Sequence, residues 1–330
     1  MNKSESDWKI MGMQIVSSAI SVPQRVQTAE ELAPLIAKTP EWIIQRTGVR
    51  NRRVGDSTLD SPTLAAQAAR IAIGNHAKPD LVIYAGGVQR QAIPDTSVFL
   101  SQELGYEGVP SFSISASCLS FLVGLKMADS LLADRTYSRI LLCSADIATH
   151  ARDLNDAESA ALLGDGAAAV LLERRDGPFG VLYYSMRTWP SGAELAELRG
   201  GGTRTKLDGT SNLPESNLFQ MNGLGLIKFF IPLLRPMLDE CLSQCGITID
   251  EIDLVVPHQT SISGFQILSR FGLPPEKTIN ILADYGNCVS ASIPMALAIT
   301  MSEGRLRPGS LVLFIGTAAG ASAAVMLMRW

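Results

Sequence analysis

Three apolar strings occur twice in this chain, in the same order. Asp80-Leu81-Val82-Ile83 returns as Asp253-Leu254-Val255-Val256, Ile140–Cys143 as Leu311–Phe314, and Ala167–Leu172 as Ala323–Leu327. The first two pairs are offset by 173 and 171 residues. An offset so nearly constant predicts two copies of one βα unit. The third pair is offset by 156. The first copy is therefore expected to carry about fifteen extra residues ahead of that string. The division expected from the repeat is 1–175 and 176–330.

Strand-like and helix-like runs alternate along both copies, which predicts α/β layers. In the first, Ile15–Ile20 reads as extended. Thr28–Ala37 reads as a helix that Pro34 must kink or end. Pro40–Arg46 reads as a helix capped by Thr39, with Pro40 in its first turn. Further helices are expected at Ser61–His76, Pro94–Leu104 and Cys118–Ala133, and strands at Asp80–Ala85, Pro110–Ser115 and Arg139–Ser144. In the second copy, Gly223–Cys245 reads as a helix kinked or broken by Pro232 and Pro236. Asp253–Pro257, Ser310–Ile315 and Ala323–Arg329 read as strands, and Ser261–Phe271 and Val289–Ser302 as helices. Between the copies, Arg187–Gln220 is a long polar excursion rich in Gly, Ser, Thr, Asn and Pro. Such loops inside a compact protein are commonly functional.

With 46% hydrophobic and 18% charged residues over 330 positions, the chain can bury a substantial core. A net charge of −4 with no basic block argues against a nucleic-acid partner. An anionic substrate would have to be held by local arginines. The five cysteines form no CxxC pair. Cys143, Cys241, Cys245 and Cys288 read as buried small apolar residues, and the set fits a reducing compartment. No metal site is expected. The polar start Met1–Asp7 lacks the pattern of a signal peptide, and no apolar run reaches membrane-spanning length. A cytoplasmic location is expected.

The fifth cysteine is different. Cys118, in Ser117-Cys118-Leu119-Ser120, sits between an extended run and a helical run. A helix start offers free N–H groups and partial positive charge, both of which favour a thiolate. His258, in Val256-Pro257-His258-Gln259, and Asn287, in Tyr285-Gly286-Asn287, also stand at element edges. A Cys, a His and an Asn so placed suggest acyl-thioester chemistry. His76 and His150 read as structural. Gly164-Asp165-Gly166 lacks the lysine of a phosphate loop and reads as a tight turn with Asp165 bonding backbone.

In this order and spacing, these motifs resemble the β-ketoacyl-ACP synthase III family of the thiolase superfamily. Trp42-Ile43-Ile44-Gln45-Arg46-Thr47-Gly48-Val49-Arg50, Leu163–Ala168 and Ser290–Pro294 add to the resemblance, which covers almost the whole chain. It implies a thiolase fold, in which duplicated βα halves build a layered α-β-α-β-α sandwich. It implies a homodimer and, as substrates, acyl-CoA and a malonyl thioester on coenzyme A or an acyl carrier protein. No cofactor or metal is implied. Cys118 would accept the acyl group, and His258 and Asn287 would serve the decarboxylative condensation that follows. The backbone N–H groups of Cys118 and Gly316 would form the oxyanion hole. Trp42 and Arg46, one helical turn apart, would flank the coenzyme A tunnel.

The chain departs from the family pattern at several places. Ala157 stands where an arginine is common, with Glu158 beside it. Leu224 and Gly225 replace polar or charged residues, and Leu119 and Ser120 replace an Ala-Gly pair. Ile93 stands where an aromatic residue closes the partner's acyl pocket. Leu119 and Ile93 are thus expected to shape the acyl pocket, and Ile93 to admit a longer or branched acyl group. Within fatty acid or polyketide biosynthesis, these changes imply a specialised relative serving secondary metabolism or an unusual primer, instead of the housekeeping enzyme that starts fatty acid synthesis. The alternative is plain acyl transfer from Cys118 to an alcohol or amine. The intact His258 and Asn287 favour condensation over it and over a catalytically silent subunit. Gly316–Gly320 lacks the second cysteine of a degradative thiolase.

Overall fold

The repeated strings form the centres of two sheets. The structure, a computed structural model, describes residues 11–204 and 214–330. The polar start Met1–Asp7 and part of the Arg187–Gln220 excursion lie outside the described residues. The first sheet is built from β1 (Met11–Ser21), β2 (Leu81–Tyr84), β3 (Ser111–Ser113), β4 (Arg139–Ile147) and β5 (Asp165–Asp176), in the order β1-β5-β4-β2-β3. The second is built from β6 (Gly180–Thr188), β7 (Leu254–Pro257), β8 (Leu311–Ala318) and β9 (Ser322–Arg329), in the order β6-β9-β8-β7. In each sheet the first two repeated strings pair in parallel, β2 with β4 and β7 with β8. The third string then pairs antiparallel with the second, β5 with β4 and β9 with β8. The expected insertion is the connection 148–164, which matches a turn at 319–321 in the second sheet.

The short apolar runs are buried on both faces, as parallel strands between helical layers must be. Alternate residues serve different layers. Leu81, Ile83, Ile140 and Leu142 of the first sheet meet Leu254, Val256, Val312 and Phe314 of the second across a shared central core. That core is filled by the helices Ser120–Ala133 and Ser292–Ser302, through Phe121, Leu122, Leu125, Ile293, Ala296 and Leu297. The intervening Val82, Tyr84, Leu141 and Cys143 face an outer layer that includes the helix Ser61–Ile73. Val255, Leu313 and Ile315 face the helices Gly223–Cys245 and Ile262–Arg270. The result is the five-layer α-β-α-β-α sandwich. Cys143, Cys241 and Cys288 are buried and Cys245 half-buried.

Several elements differ from the sequence expectation. The Gly223–Cys245 helix runs unbroken through Pro232 and Pro236. The two prolines are four apart and lie on its exposed face, where water can take the carbonyls they leave unpaired. Pro34 does end its helix, leaving one turn at Ala29–Leu32 followed by a 3-10 turn, Ala33–Ile36. The run Pro110–Ser115 contains only the three-residue β3. Strand β6 was not foreseen: its apolar run, Val181–Tyr184, is only four residues long and leads into the polar excursion.

Candidate active site

Cys118 lies in a 3-10 turn, Ser117–Leu119, immediately before the helix Ser120–Ala133. Ser117 has φ of 51°, a left-handed conformation that a non-glycine residue adopts only under local constraint. Ser120 supplies that constraint. Its Oγ accepts the N–H of Ala116 at 2.9 Å and lies 2.7 Å from the Ser117 carbonyl and 2.9 Å from the Gly86 carbonyl. The serine that departs from the family pattern therefore braces the cysteine turn.

Backbone N–H groups favour the thiolate as expected, but burial outweighs them. The Cys118 thiol is pushed up to about 12, first by burial and then by the negative charge of Asp146. Backbone N–H groups of Ala319 and of Cys118 itself oppose the shift without cancelling it. The helix-start effect is worth about 0.3–1 kcal/mol, too little against desolvation of a thiolate.

His258 follows the end of β7. Its N–H donates to the Ile315 carbonyl at 2.9 Å. The buried Gln259 amide ties Pro257, Ile279 and Ile281 together by three hydrogen bonds of 2.9–3.1 Å. The His258 ring is pushed down to about 4 by burial, against opposing interactions with Asn287 and the Thr317 backbone. It is therefore neutral at neutral pH. Its Nε2 lies 3.3 Å from Asn287 Oδ1, and its Nδ1 has no hydrogen-bond partner among the described residues.

Asn287 is held from both sides. Its N–H donates to the Leu162 carbonyl at 2.8 Å, and its carbonyl accepts the Gly164 N–H at 3.1 Å. A side chain at Gly164 would stand 2.1 Å from the Tyr285 carbonyl. The glycine is thus needed for this backbone approach. Asp165 next to it accepts the N–H groups of Gly55 and Thr149 at 2.7 and 2.8 Å, so it bonds backbone as expected, but the expected tight turn is not there: Asp165 and Gly166 are the extended first residues of β5. The Asn287 Oδ1 accepts the Val289 N–H at 2.9 Å, which fixes the orientation of the amide.

Asp146, at the end of β4, was missed by the sequence reading. It is buried and accepts N–H groups of Gly87, Val88 and Ser290 at 3.0–3.1 Å, and the Ser290 hydroxyl at 2.5 Å. It joins the end of the first sheet to the turn after Asn287. Val289 in that turn has φ of 51°, an outlier for a β-branched residue. Burial raises the Asp146 carboxyl to about 6, although its donors favour the charged form. Nothing but the tertiary fold brings these donors to one carboxylate.

Cys118, His258 and Asn287 open onto one cavity of about 970 Å³. Its apolar wall includes Leu226, Phe230, Ile231 and Leu234 of the Gly223–Cys245 helix, and Ile267 and Leu268. Part of the polar excursion, Ala196–Leu198 and Gly200–Gly202, lines it as well. Arg46 lines it; Trp42 does not, being packed against the small core that includes Leu32, Ile36 and Ile43, with Lys38 Nζ 5.1 Å from its ring centroid. Leu119 is corrected: it is fully buried in the central core against Gly316 and does not line the cavity. Gly316 is also reassigned. It lies inside β8 opposite Ala324, and the loop N–H that reaches the Cys118 sulfur is that of Ala319. Ile93 is 85% exposed and does not line the cavity of its own chain. Among the described residues no cluster of three or more His, Cys, Asp or Glu could hold a metal, and no helix is long and apolar enough to cross a membrane.

Residues 112–189 match the 3-oxoacyl-[acyl-carrier-protein (ACP)] synthase III family, and 242–330 match the C-terminal part of the same family. The β-ketoacyl-[acyl-carrier-protein] synthase III of Erythrobacter litoralis is 31% identical over 96% of this chain and 98% of that protein. The protein of the same name from Syntrophomonas wolfei is 28% identical over 97% and 98%. Among solved structures, the 3-oxoacyl-[acyl-carrier-protein] synthase III of Aquifex aeolicus superposes with a TM-score of 0.88 at 28% identity, covering 97% of this chain and 100% of that one. The priming β-ketosynthase of a polyketide biosynthetic pathway superposes with a TM-score of 0.87 at 25% identity, covering 96% of each.

Proposed function

Since this chain belongs to the 3-oxoacyl-ACP synthase III family, we propose that it is an acyltransferase that condenses an acyl thioester with a malonyl-type thioester, using Cys118, His258 and Asn287. The Cys118 sulfur attacks the carbonyl of an acyl-CoA or acyl carrier protein. The acyl group passes to Cys118, and the thiol of the donor leaves with the proton. A malonyl thioester then enters the same cavity and loses carbon dioxide. The electron pair left behind forms an enolate, whose oxygen accepts hydrogen bonds from His258 Nε2–H and the Asn287 amide. The enolate carbon attacks the acyl-Cys118 carbonyl. N–H groups of Cys118 and Ala319 hold the tetrahedral oxyanion, and its collapse returns the free cysteine and a β-ketoacyl thioester.

The observation that carries this reading is the fixed Asn287 amide. With Oδ1 taken by Val289 N–H, its nitrogen has no acceptor among the described residues and remains a donor. The low pKa of His258 keeps its ring neutral, suited to donating at Nε2 and unsuited to acting as a base. This favours condensation over transfer to an alcohol or amine, which needs a general base. The scheme requires no metal or redox cofactor.

The reading extends to a homodimer with two thiolase-like halves, 1–175 and 176–330, a cytoplasmic location, and Arg46 and Trp42 flanking the donor's entry. Ile93, exposed on its own chain, is placed by this reading in the partner's acyl pocket, where it admits acyl groups larger than acetyl. The experiment is intact-protein mass after incubation with acyl-CoAs of graded length, together with carbon dioxide release from a malonyl thioester. An acyl adduct lost in Cys118→Gln, with carbon dioxide release coupled to it in the unmodified enzyme, is expected. Acyl transfer without carbon dioxide release would point to the alternative, and a strict preference for acetyl would remove the role given to Ile93.

A further inference from the structure

Four charged side chains line the cavity among the described residues: Arg46, Arg90, Glu158 and Glu197. Each is already in an ion pair. Arg90 pairs with Asp60 at 2.7 Å, and Glu197 with Arg199 and Arg204 at 2.5 and 3.1 Å. Arg46 pairs with Glu158, whose Oε1 accepts both Nε at 3.0 Å and Nη2 at 2.6 Å. Both side chains are close to half exposed, so this pair stands at the open end of the cavity, away from the buried His258.

The second oxygen of Glu158 points to the other wall. A side chain at Gly223 would meet Oε2 at 3.5 Å, and Gly223 opens the 23-residue helix Gly223–Cys245. Glu158 therefore spans the opening, from the guanidinium on one side to the positive end of a long helix on the other. These are the two features that would attract a phosphate entering there. No other anion is needed to satisfy Arg46 while Glu158 holds it.

We propose that Glu158 is an internal anion that closes the opening and competes with the phosphates of an incoming thioester carrier for Arg46. It makes this chain discriminate against donors held chiefly by phosphate contacts, such as coenzyme A, and in favour of those held by their apolar acyl chain. The proposal rests on the reading of the cavity as the thioester site, and its test is a binding measurement that does not depend on turnover.

Calorimetry with free coenzyme A and with free pantetheine, which lacks the phosphates, separates the terms. Glu158→Gln is expected to tighten coenzyme A by about three- to fivefold, the scale of a half-exposed ion pair lost to competition, and to leave pantetheine unchanged within about 1.5-fold. Arg46→Ala is expected to weaken coenzyme A more in the Glu158→Gln background than in the unmodified protein, since only there is the guanidinium free. Glu158→Asp, too short to reach Arg46, is expected to follow Gln. Equal changes for both ligands, or coenzyme A binding unchanged or weakened in Glu158→Gln, would overturn the proposal. Failure of Cys118 to take an acyl group would instead count against the condensing reading, whatever the binding shows.

Discussion

Nε2 of His258 lies 3.3 Å from Oδ1 of Asn287, an oxygen already held at 2.9 Å by the N–H of Val289. The pair is therefore arranged as two donors facing one cavity. His258→Ala and Asn287→Ala are each expected to lower condensation by about 10²–10³-fold, the cost of one oxyanion donor, while Cys118 is still acylated. Asn287→Asp, which exchanges the donor for a carboxylate, should be no better than Ala. Intact-protein mass reports acylation and product formation reports condensation. Parallel loss of both steps would end this division of labour.

The free enzyme should behave as a neutral thiol. With Cys118 pushed up to about 12, alkylation by iodoacetamide should rise about tenfold per pH unit from pH 7 to 10, without a plateau. A plateau below pH 9 would show that the thiolate forms at rest. Peptide mapping assigns the modified cysteine.

Two buried groups should oppose each other in the pH dependence of stability. Asp146 is raised from 3.8 to about 6 in the fold. The unfolded chain releases that proton first, so this contribution falls as pH rises from about 4 to 6. His258 is lowered from 6.5 to about 4. The unfolded chain binds that proton first, so this contribution is complete above about 6.5 and is lost as pH falls toward 4. Each shift amounts to roughly 3 kcal/mol, and the two nearly offset. Relative to the unmodified protein, His258→Gln should make stability fall more steeply from pH 4 to 6. Asp146→Asn should make it rise across the same window, from a lower base because an amide cannot accept all its donors. Urea titrations at pH 4, 5 and 6 measure both slopes.

The glycine beside Asn287 should be irreplaceable. A methyl at Gly164 would stand 2.1 Å from the Tyr285 carbonyl, so backbone must move. Gly164→Ala is expected to cost about 2–4 kcal/mol and to reduce condensation by displacing Asn287. Gly105→Ala is the control, because nothing lies within 4 Å there and only its φ of 68° is strained. It should cost about 1 kcal/mol and leave activity intact. Thermal unfolding and condensation rate, measured together, separate the two effects.

Much of the fold was legible because its signals are local. A strand buried on both faces must be a short apolar run, so Asp80–Ile83 and Asp253–Val256 announced themselves, and their common offset announced the duplication. Thr39 and Pro40 marked a helix start, and Thr39 does cap Trp42 N–H at 3.2 Å. The bounds of the Gly223–Cys245 helix were legible as well; that Pro232 and Pro236 do not break it was not, because proline cost depends on which face the freed carbonyl meets. Strand β6 was missed because its apolar run, Val181–Tyr184, is short and leads directly into the polar excursion.

By itself, the sequence determined that Cys118, His258 and Asn287 are present at element edges in a duplicated α/β chain. Their chemistry was readable because a nucleophile and two donors are properties of residue type. Only the tertiary structure decided their state. It enclosed Cys118 partly, near Asp146, and so pushed its thiol up, put Ala319 in place of Gly316 beside the sulfur, withdrew Leu119 into the core, and set Glu158 against Arg46 at the opening. Each of these depends on desolvation or on contact between residues distant in the chain, and neither is encoded in any local run of residues.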